Sequence, residues 1–231
     1  MRKKVFIVFT LTLCVIFMAG MIFPLGSLSA KTAYFNEYFP NVRNKERLAS
    51  IIILPEDRDV WGQARPIIER LDSLPAGLLD ALSKNRVKMK LFTGLLTDNR
   101  EAKHLKGLIP RGYQSKTWDD VPGMGGSKTV LVRIGHSDNG QGHSSVNLEL
   151  HELGHTVDKQ LLQVCSQTIV FQQIWMKEVG NLFPNQDYFI QYPEEYFAEC
   201  FALFHFNQET KQYLMDSAPD TFSFFQELDF H

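Results

Sequence analysis

At 231 residues, with 44% hydrophobic and 22% charged residues, the chain is ordinary globular material with room for a sizeable core. A formal net charge of −2 and the lack of any basic stripe argue against a nucleic-acid ligand. Three cysteines are too few for a disulfide framework.

The first thirty residues stand apart. Arg2, Lys3 and Lys4 precede an apolar run from Val5 to Phe23, and Pro24, Gly26 and the small stretch Ser27-Leu28-Ser29-Ala30 follow. This is the layout of a secretory signal peptide. The run approaches the length of a membrane span, but the breakers and small residues after it favour cleavage over a retained anchor. The expectation is a signal over residues 1–30 and one domain over residues 31–231, secreted and free of the membrane once the signal is removed. Cleavage removes Cys14 and leaves Cys165 and Cys200, as a pair or as two buried thiols.

Lys31 to Leu48 reads as an irregular lead-in. The apolar run Ser50 to Leu54, ended by Pro55, reads as a buried strand. Apolar residues at helical spacing predict helices over Trp61–Ser73 and Leu78–Asn85, and Val87 to Phe92 alternates as a half-buried strand does. Arg100 to Lys106 reads as a short helix and Pro110 to Lys128 as a loop, with Gly123, Gly125 and Gly126 clustered in it. Thr129 to Ile134 carries a strand signal and Gly135 to Gly142 is a polar turn region. Helices are expected from about Ser145 to Gln163, over Ile169–Val179, over Pro193–Phe206, and once or twice between Lys211 and Leu228, with Gly180 to Tyr192 irregular. Strands mixed with helices, then helices alone, predict an α+β fold: a small mixed N-terminal sheet, a mainly helical C-terminal part, and a cleft between them.

The chemistry concentrates in Leu148–Asp158, LELHELGHTVD. His151 and His155 are four apart, so on a helix both imidazoles share one face and can reach one Zn²⁺. Glu152 sits beside the first histidine, where it can take a proton from a water the metal activates. Gly154, a poor helix former, leaves room for the metal or for a close neighbour. A catalytic zinc takes a third protein ligand. Downstream, Pro193-Glu194-Glu195-Tyr196-Phe197-Ala198-Glu199 starts a helix with Glu195 and Glu199 on one face. One of these fits a ligand role and the other a role orienting a ligand histidine from behind. Spacing alone leaves open which is which.

HELGH, Tyr188 and the run Tyr192 to Glu199 resemble the secreted Pro-Pro endopeptidases, zinc enzymes related to the protease domain of anthrax lethal factor. The likeness extends upstream through Trp118-Asp119-Asp120-Val121-Pro122-Gly123, Gly125-Gly126-Ser127, Arg133-Ile134-Gly135, Gly142-His143 and Asn147-Leu148-Glu149-Leu150. It implies a zincin-like fold with one Zn²⁺ per chain on His151, His155 and Glu195. Glu152 is then the general base, Tyr188 a catalytic residue near the metal, and Glu199 the supporting carboxylate. Substrate contacts carried over are Leu105, Arg111, Tyr113, Gly125, Gly126, Ser127 and Lys128, with His143 and Glu194 nearer the metal. Two departures stand out: Tyr113 occupies a position where the family has tryptophan, and Lys128 is an insertion beside the glycines. The implied partner is a proline-rich segment of a secreted or surface protein such as an adhesin, acted on by a monomer. The competing readings are a zinc endopeptidase of other specificity, a non-catalytic module binding proline-rich peptides, and a structural zinc domain with His143 as fourth ligand.

Overall fold

The computed structural model describes residues 28–230, so the signal-peptide reading falls almost wholly outside the described residues. The lead-in is helical rather than irregular: α1 spans Leu28–Tyr38 and α2 spans Lys45–Ile51. Long-range anchoring explains the difference. Phe35, Phe39 and Val42 are buried, and Tyr38 meets the Trp61 ring edge-on at 4.8 Å.

The predicted strand at Ser50–Leu54 shrinks to β1, Ile52–Ile53, because α2 runs through Ile51; a short apolar run suits either element. Next come α3 (Trp61–Asp72), α4 (Ala76–Lys84) and β2 (Lys88–Phe92). The helix expected over Arg100–Lys106 is only a 3-10 turn at Lys103–Leu105. The loop that follows contains a short strand, β3 (Gly123–Met124), paired antiparallel to β4 (Thr129–Arg133). The sheet order is β1-β2-β4-β3, with the first three strands parallel and β3 at the edge. Alternation divides the core. Met89, Leu91, Val130 and Val132 join the main cluster, while Phe92 and Leu131 face a smaller one with Leu96, Ala102 and Val121.

The signature helix α5 (Leu148–Thr156) starts at Asn147, whose side chain accepts the Leu150 N–H, and ends in a π turn over Val157–Leu161. Then follow α6 (Ile169–Leu182), α7 (Asp187–Gln191) in the stretch expected to be irregular, and α8 (Pro193–Phe206). The tail forms α9 (Gln208–Ser217) and α10 (Pro219–Glu227). Helix α8 is the axis of this half, buried from Glu195 through Leu203. Buried Glu178 holds α10 in place by accepting the Asp220 and Thr221 N–H groups. Among the described residues no helix is long and apolar enough to cross a membrane. Cys165 and Cys200 are both free thiols.

Asp72 ties the N-terminal helices together. Its carboxylate accepts from the Arg43 and Asn44 backbones and both their side chains. Burial raises its pKa, but those hydrogen bonds win and lower it below the usual carboxylate value. A depressed folded pKa stabilises the fold above the unfolded value, and the stabilisation is lost as pH falls through the folded one. Asp72→Ala is therefore expected to cost about 1–3 kcal/mol at neutral pH. In urea melts the difference from wild type should shrink as pH drops below about 4.

Candidate active site

Two helices meet without a spacer. A Cβ on Gly154 would stand 2.9 Å from the Ala198 Cα and 3.0 Å from its carbonyl oxygen, so glycine is what lets α5 lie against α8. The role read for Gly154 resolves to a close neighbour. The contact sets His151 and His155 opposite Glu195.

The result is a near-equilateral triangle. The Nε2 atoms of His151 and His155 are 3.2 Å apart. Glu195 Oε2 is 3.4 Å from the first and 3.2 Å from the second. Four tetrahedral ligands at ~2.0–2.1 Å have edges of about 3.3–3.4 Å, so three nitrogen and oxygen donors so placed fit one small divalent ion. The tautomers agree. His151 Nδ1 lies 2.8 Å from Glu199 Oε2, a carboxylate that can only accept, so Nδ1 carries a proton and Nε2 is the nitrogen turned toward Glu195 and His155. Glu199 is fixed in turn by the Val146 N–H, at 2.7 Å from its Oε1. The choice left open between Glu195 and Glu199 is thus a matter of position: Glu195 faces both Nε2 atoms and Glu199 stands behind one ring.

The electrostatics call for a cation at this point. Burial lowers the His151 pKa, but hydrogen bonds to Glu195 and Glu199 outweigh it and push it up to about 10. Burial raises Glu195, yet both histidines hold it well below the usual carboxylate range. Glu195 Oε1, turned away from the histidines, accepts from Arg111 at 2.8 Å. Arg111 also pairs with Glu194 at 2.9 Å and stacks on the Tyr192 ring at 3.7 Å.

Glu152 lies under the glycine cluster. A Cβ on Gly123 would come within 2.8 Å of its Cγ, and one on Gly125 would stand 2.0 Å from its carbonyl oxygen. Only a strand bare at these positions can cross the helix so closely. Burial raises the Glu152 carboxyl, with His151 and His155 pulling the other way. Tyr188, on α7, is raised by burial and by Glu195, so its phenol stays protonated and able to donate.

These groups line a cavity of about 860 Å³. Loop 110–125 forms one wall, α7 and the start of α8 the other, and α5 the floor. Of the substrate contacts named from sequence, Arg111, Tyr113, Gly125, His143 and Glu194 line it; Leu105, Gly126, Ser127 and Lys128 do not. Leu105 packs instead with Trp118 and Met124 against the smaller core cluster. Gly126 and Ser127 brace the β3–β4 hairpin on α5: the Gly126 N–H donates to Thr156 Oγ1 at 2.9 Å, and the Ser127 carbonyl accepts from it at 3.2 Å.

His143 has both ring nitrogens engaged, Nε2 on the His136 carbonyl at 2.8 Å and Nδ1 on Ser145 Oγ at 2.7 Å. It therefore has no free lone pair for the metal, which removes the fourth ligand a structural zinc site would need. Lining residues that sequence reasoning missed include Lys159, Gln186, Phe189, Ser144 and Ser145. Of these, Lys159 had a signal, since it falls one helical turn beyond His155.

The chain is similar to known proteins over most of its length. The family described as "Anthrax toxin lethal factor, N- and C-terminal domain" matches residues 40–228. A Pro-Pro endopeptidase of Clostridioides difficile (strain 630) is 44% identical over 188 residues, 80% of this chain and 84% of that protein. A Pro-Pro endopeptidase of Paenibacillus alvei is 40% identical over 183 residues, 78% of this chain and 84% of that protein. The solved structure of the Pro-Pro endopeptidase PPEP-2 from Paenibacillus alvei superposes with a TM-score of 0.74 at 39% identity, covering 78% of this chain and 98% of that one.

Proposed function

The chain belongs to the family of Pro-Pro endopeptidases related to anthrax toxin lethal factor, and on that footing we propose that it is a secreted zinc endopeptidase. It hydrolyses the bond between two prolines in proline-rich segments of extracellular or surface proteins, adhesins among them, and works as a monomer. The observation that carries the catalytic part is the donor triangle of His151, His155 and Glu195 with Glu152 beside it at the floor of the cleft. Secretion rests on the signal-peptide layout of the first thirty residues.

Zinc, when bound, supplies a Lewis acid that polarises a carbonyl and acidifies a water. The chain's own residues do the rest. Glu199 holds the His151 ring in the tautomer that presents Nε2. Glu152 takes the proton from the attacking water and returns it to the leaving nitrogen. That nitrogen belongs to a tertiary amide with no N–H, so the proton it gains is its first. Tyr188, kept neutral, donates to the oxyanion as the carbonyl carbon becomes tetrahedral.

The cleft also suits the substrate. A Pro-Pro segment is a stiff, extended helix that offers few donors and much apolar surface. Pro110, Tyr113, Trp118, Val121, Pro122 and Phe189 contribute apolar surface to the lining of the cleft. Binding a preformed segment avoids much of the ordering cost that a flexible peptide incurs.

The test is a digest of XXPPXX peptides read by mass spectrometry. Cuts between the prolines, abolished by a chelator, are expected; cuts mainly elsewhere would support a different specificity, and an untouched library would sink the proposal. A second check addresses the hairpin. Gly125→Ala must lift β3 off the Glu152 carbonyl, and a shift of that size is expected to lower kcat/KM about a hundredfold while the fold survives. Unchanged kinetics would mean that the hairpin does not position the site.

A further inference from the structure

Apart from the two histidines of the donor triangle, the described residues lining the cleft include three carboxylates, Glu152, Glu194 and Glu195, and two cationic side chains, Arg111 and Lys159. Glu152, Glu194 and Glu195 are engaged with the histidines or with Arg111, and Arg111 is fully taken by Glu194 and Glu195. Lys159 is left over. No carboxylate lies within ion-pairing distance of its ammonium among the described residues. Its neighbour Asp158 is buried and spent on Ser166, whose N–H and hydroxyl it accepts at 2.8 and 2.7 Å.

The place of this ammonium is defined by its neighbours. The Lys159 stem lies over Gly126, where a Cβ would stand 3.0 Å from Nζ and 3.1 Å from Cδ. Gly126 has φ +83°, a conformation that disfavours any side chain, so the hairpin cannot easily crowd the lysine out. The hairpin itself, Gly125 to Lys128, offers no acid and adds a second cation. In the free protein, water solvates Lys159 without cost. A peptide laid along the cleft strips part of that water, and the ammonium then favours a peptide that returns a negative charge.

We propose that Lys159 is a specificity-determining residue that selects an aspartate or glutamate in the peptide flank lying over the β3–β4 hairpin. The proposal rests on the endopeptidase reading and narrows its substrate class to proline-rich segments with an acidic residue on one side of the cleaved bond. Selection of this kind acts through a partly solvated ion pair, so its size is modest and salt-sensitive.

The experiment uses Pro-Pro peptides in which each of three positions on either side is in turn alanine, aspartate, glutamate or lysine. Wild type, Lys159→Met and Lys159→Glu are compared by kcat/KM at low and high salt. At one flank position wild type is expected to prefer the acid over alanine about fivefold, with the preference fading at high salt. Lys159→Met should lose it, and Lys159→Glu should turn it toward lysine. A wild type that cuts Pro-Pro peptides with no acidic preference overturns this proposal alone. So does a preference that survives Lys159→Met, or one that disappears with Lys128→Met instead. A wild type that cuts no Pro-Pro peptide brings down the endopeptidase reading and this proposal with it.

Discussion

Glu152→Gln is expected to lower kcat/KM on a Pro-Pro peptide by about 10³–10⁴ while the chain stays folded and keeps its metal. The substitution preserves shape. The amide oxygen can still face the Gly125 backbone, and nothing larger is forced under the Gly123 and Gly125 backbone, which already lies against this side chain. What the amide cannot do is accept a proton. General base and acid roles are each worth roughly 10²–10⁴, and in the proposed mechanism one carboxylate serves both. The donor triangle proposed to hold the metal is made by other residues, so metal content by elemental analysis should match wild type, and circular dichroism should be unchanged. Activity within tenfold of wild type would mean that another group carries the proton, and the assignment of Glu152 would be wrong. Loss of activity together with loss of metal would instead place Glu152 among the groups that hold the ion.

The parts of this site readable from sequence are those set by spacing within one helix. His151 and His155 share a face because they are four apart, and Pro193 announces the start of α8 with Glu195 and Glu199 in register behind it. Helix α3 and strand β2 are legible for the same reason, since each carries its own period, and β4 through its run of β-branched residues. What was not legible depends on residues far apart in the chain meeting. The lead-in is helical because Phe35 and Phe39 find a core and because Arg43 and Asn44 find Asp72. Ser50–Leu54 reads as a strand by composition, yet its first two residues finish a helix. Arg111 is read from the sequence only as a substrate contact, and its hold on Glu195 spans 84 positions. His143 looked available to the metal until its two hydrogen bonds were placed. Gly123 and Gly125 read as loop residues, yet Gly123 belongs to β3, and the reason for both glycines, contact with Glu152, exists only once this hairpin crosses α5.

The second large effect lies away from the cleft. Glu149, in the first turn of the signature helix, is fully buried. One of its oxygens pairs with Arg70 of α3, and the other has no hydrogen-bond partner among the described groups. Arg70 also lies over the Phe206 ring at 4.9 Å, so the pair joins the N-terminal helices, the signature helix and the end of α8. Arg70→Met removes the cation and leaves the carboxylate buried without compensation, a change expected to cost about 3–5 kcal/mol. The same variant should bind zinc more weakly, because Glu149 is two residues from His151 and relieving its burial requires the start of α5 to move. The double variant Arg70→Met, Glu149→Leu replaces the pair with apolar volume and is expected to recover most of the lost stability. Urea melts of the single and double variants, with and without added zinc, give both terms. A single variant as stable as wild type, or a double variant no better than the single, would show that the pair does not anchor the catalytic helix.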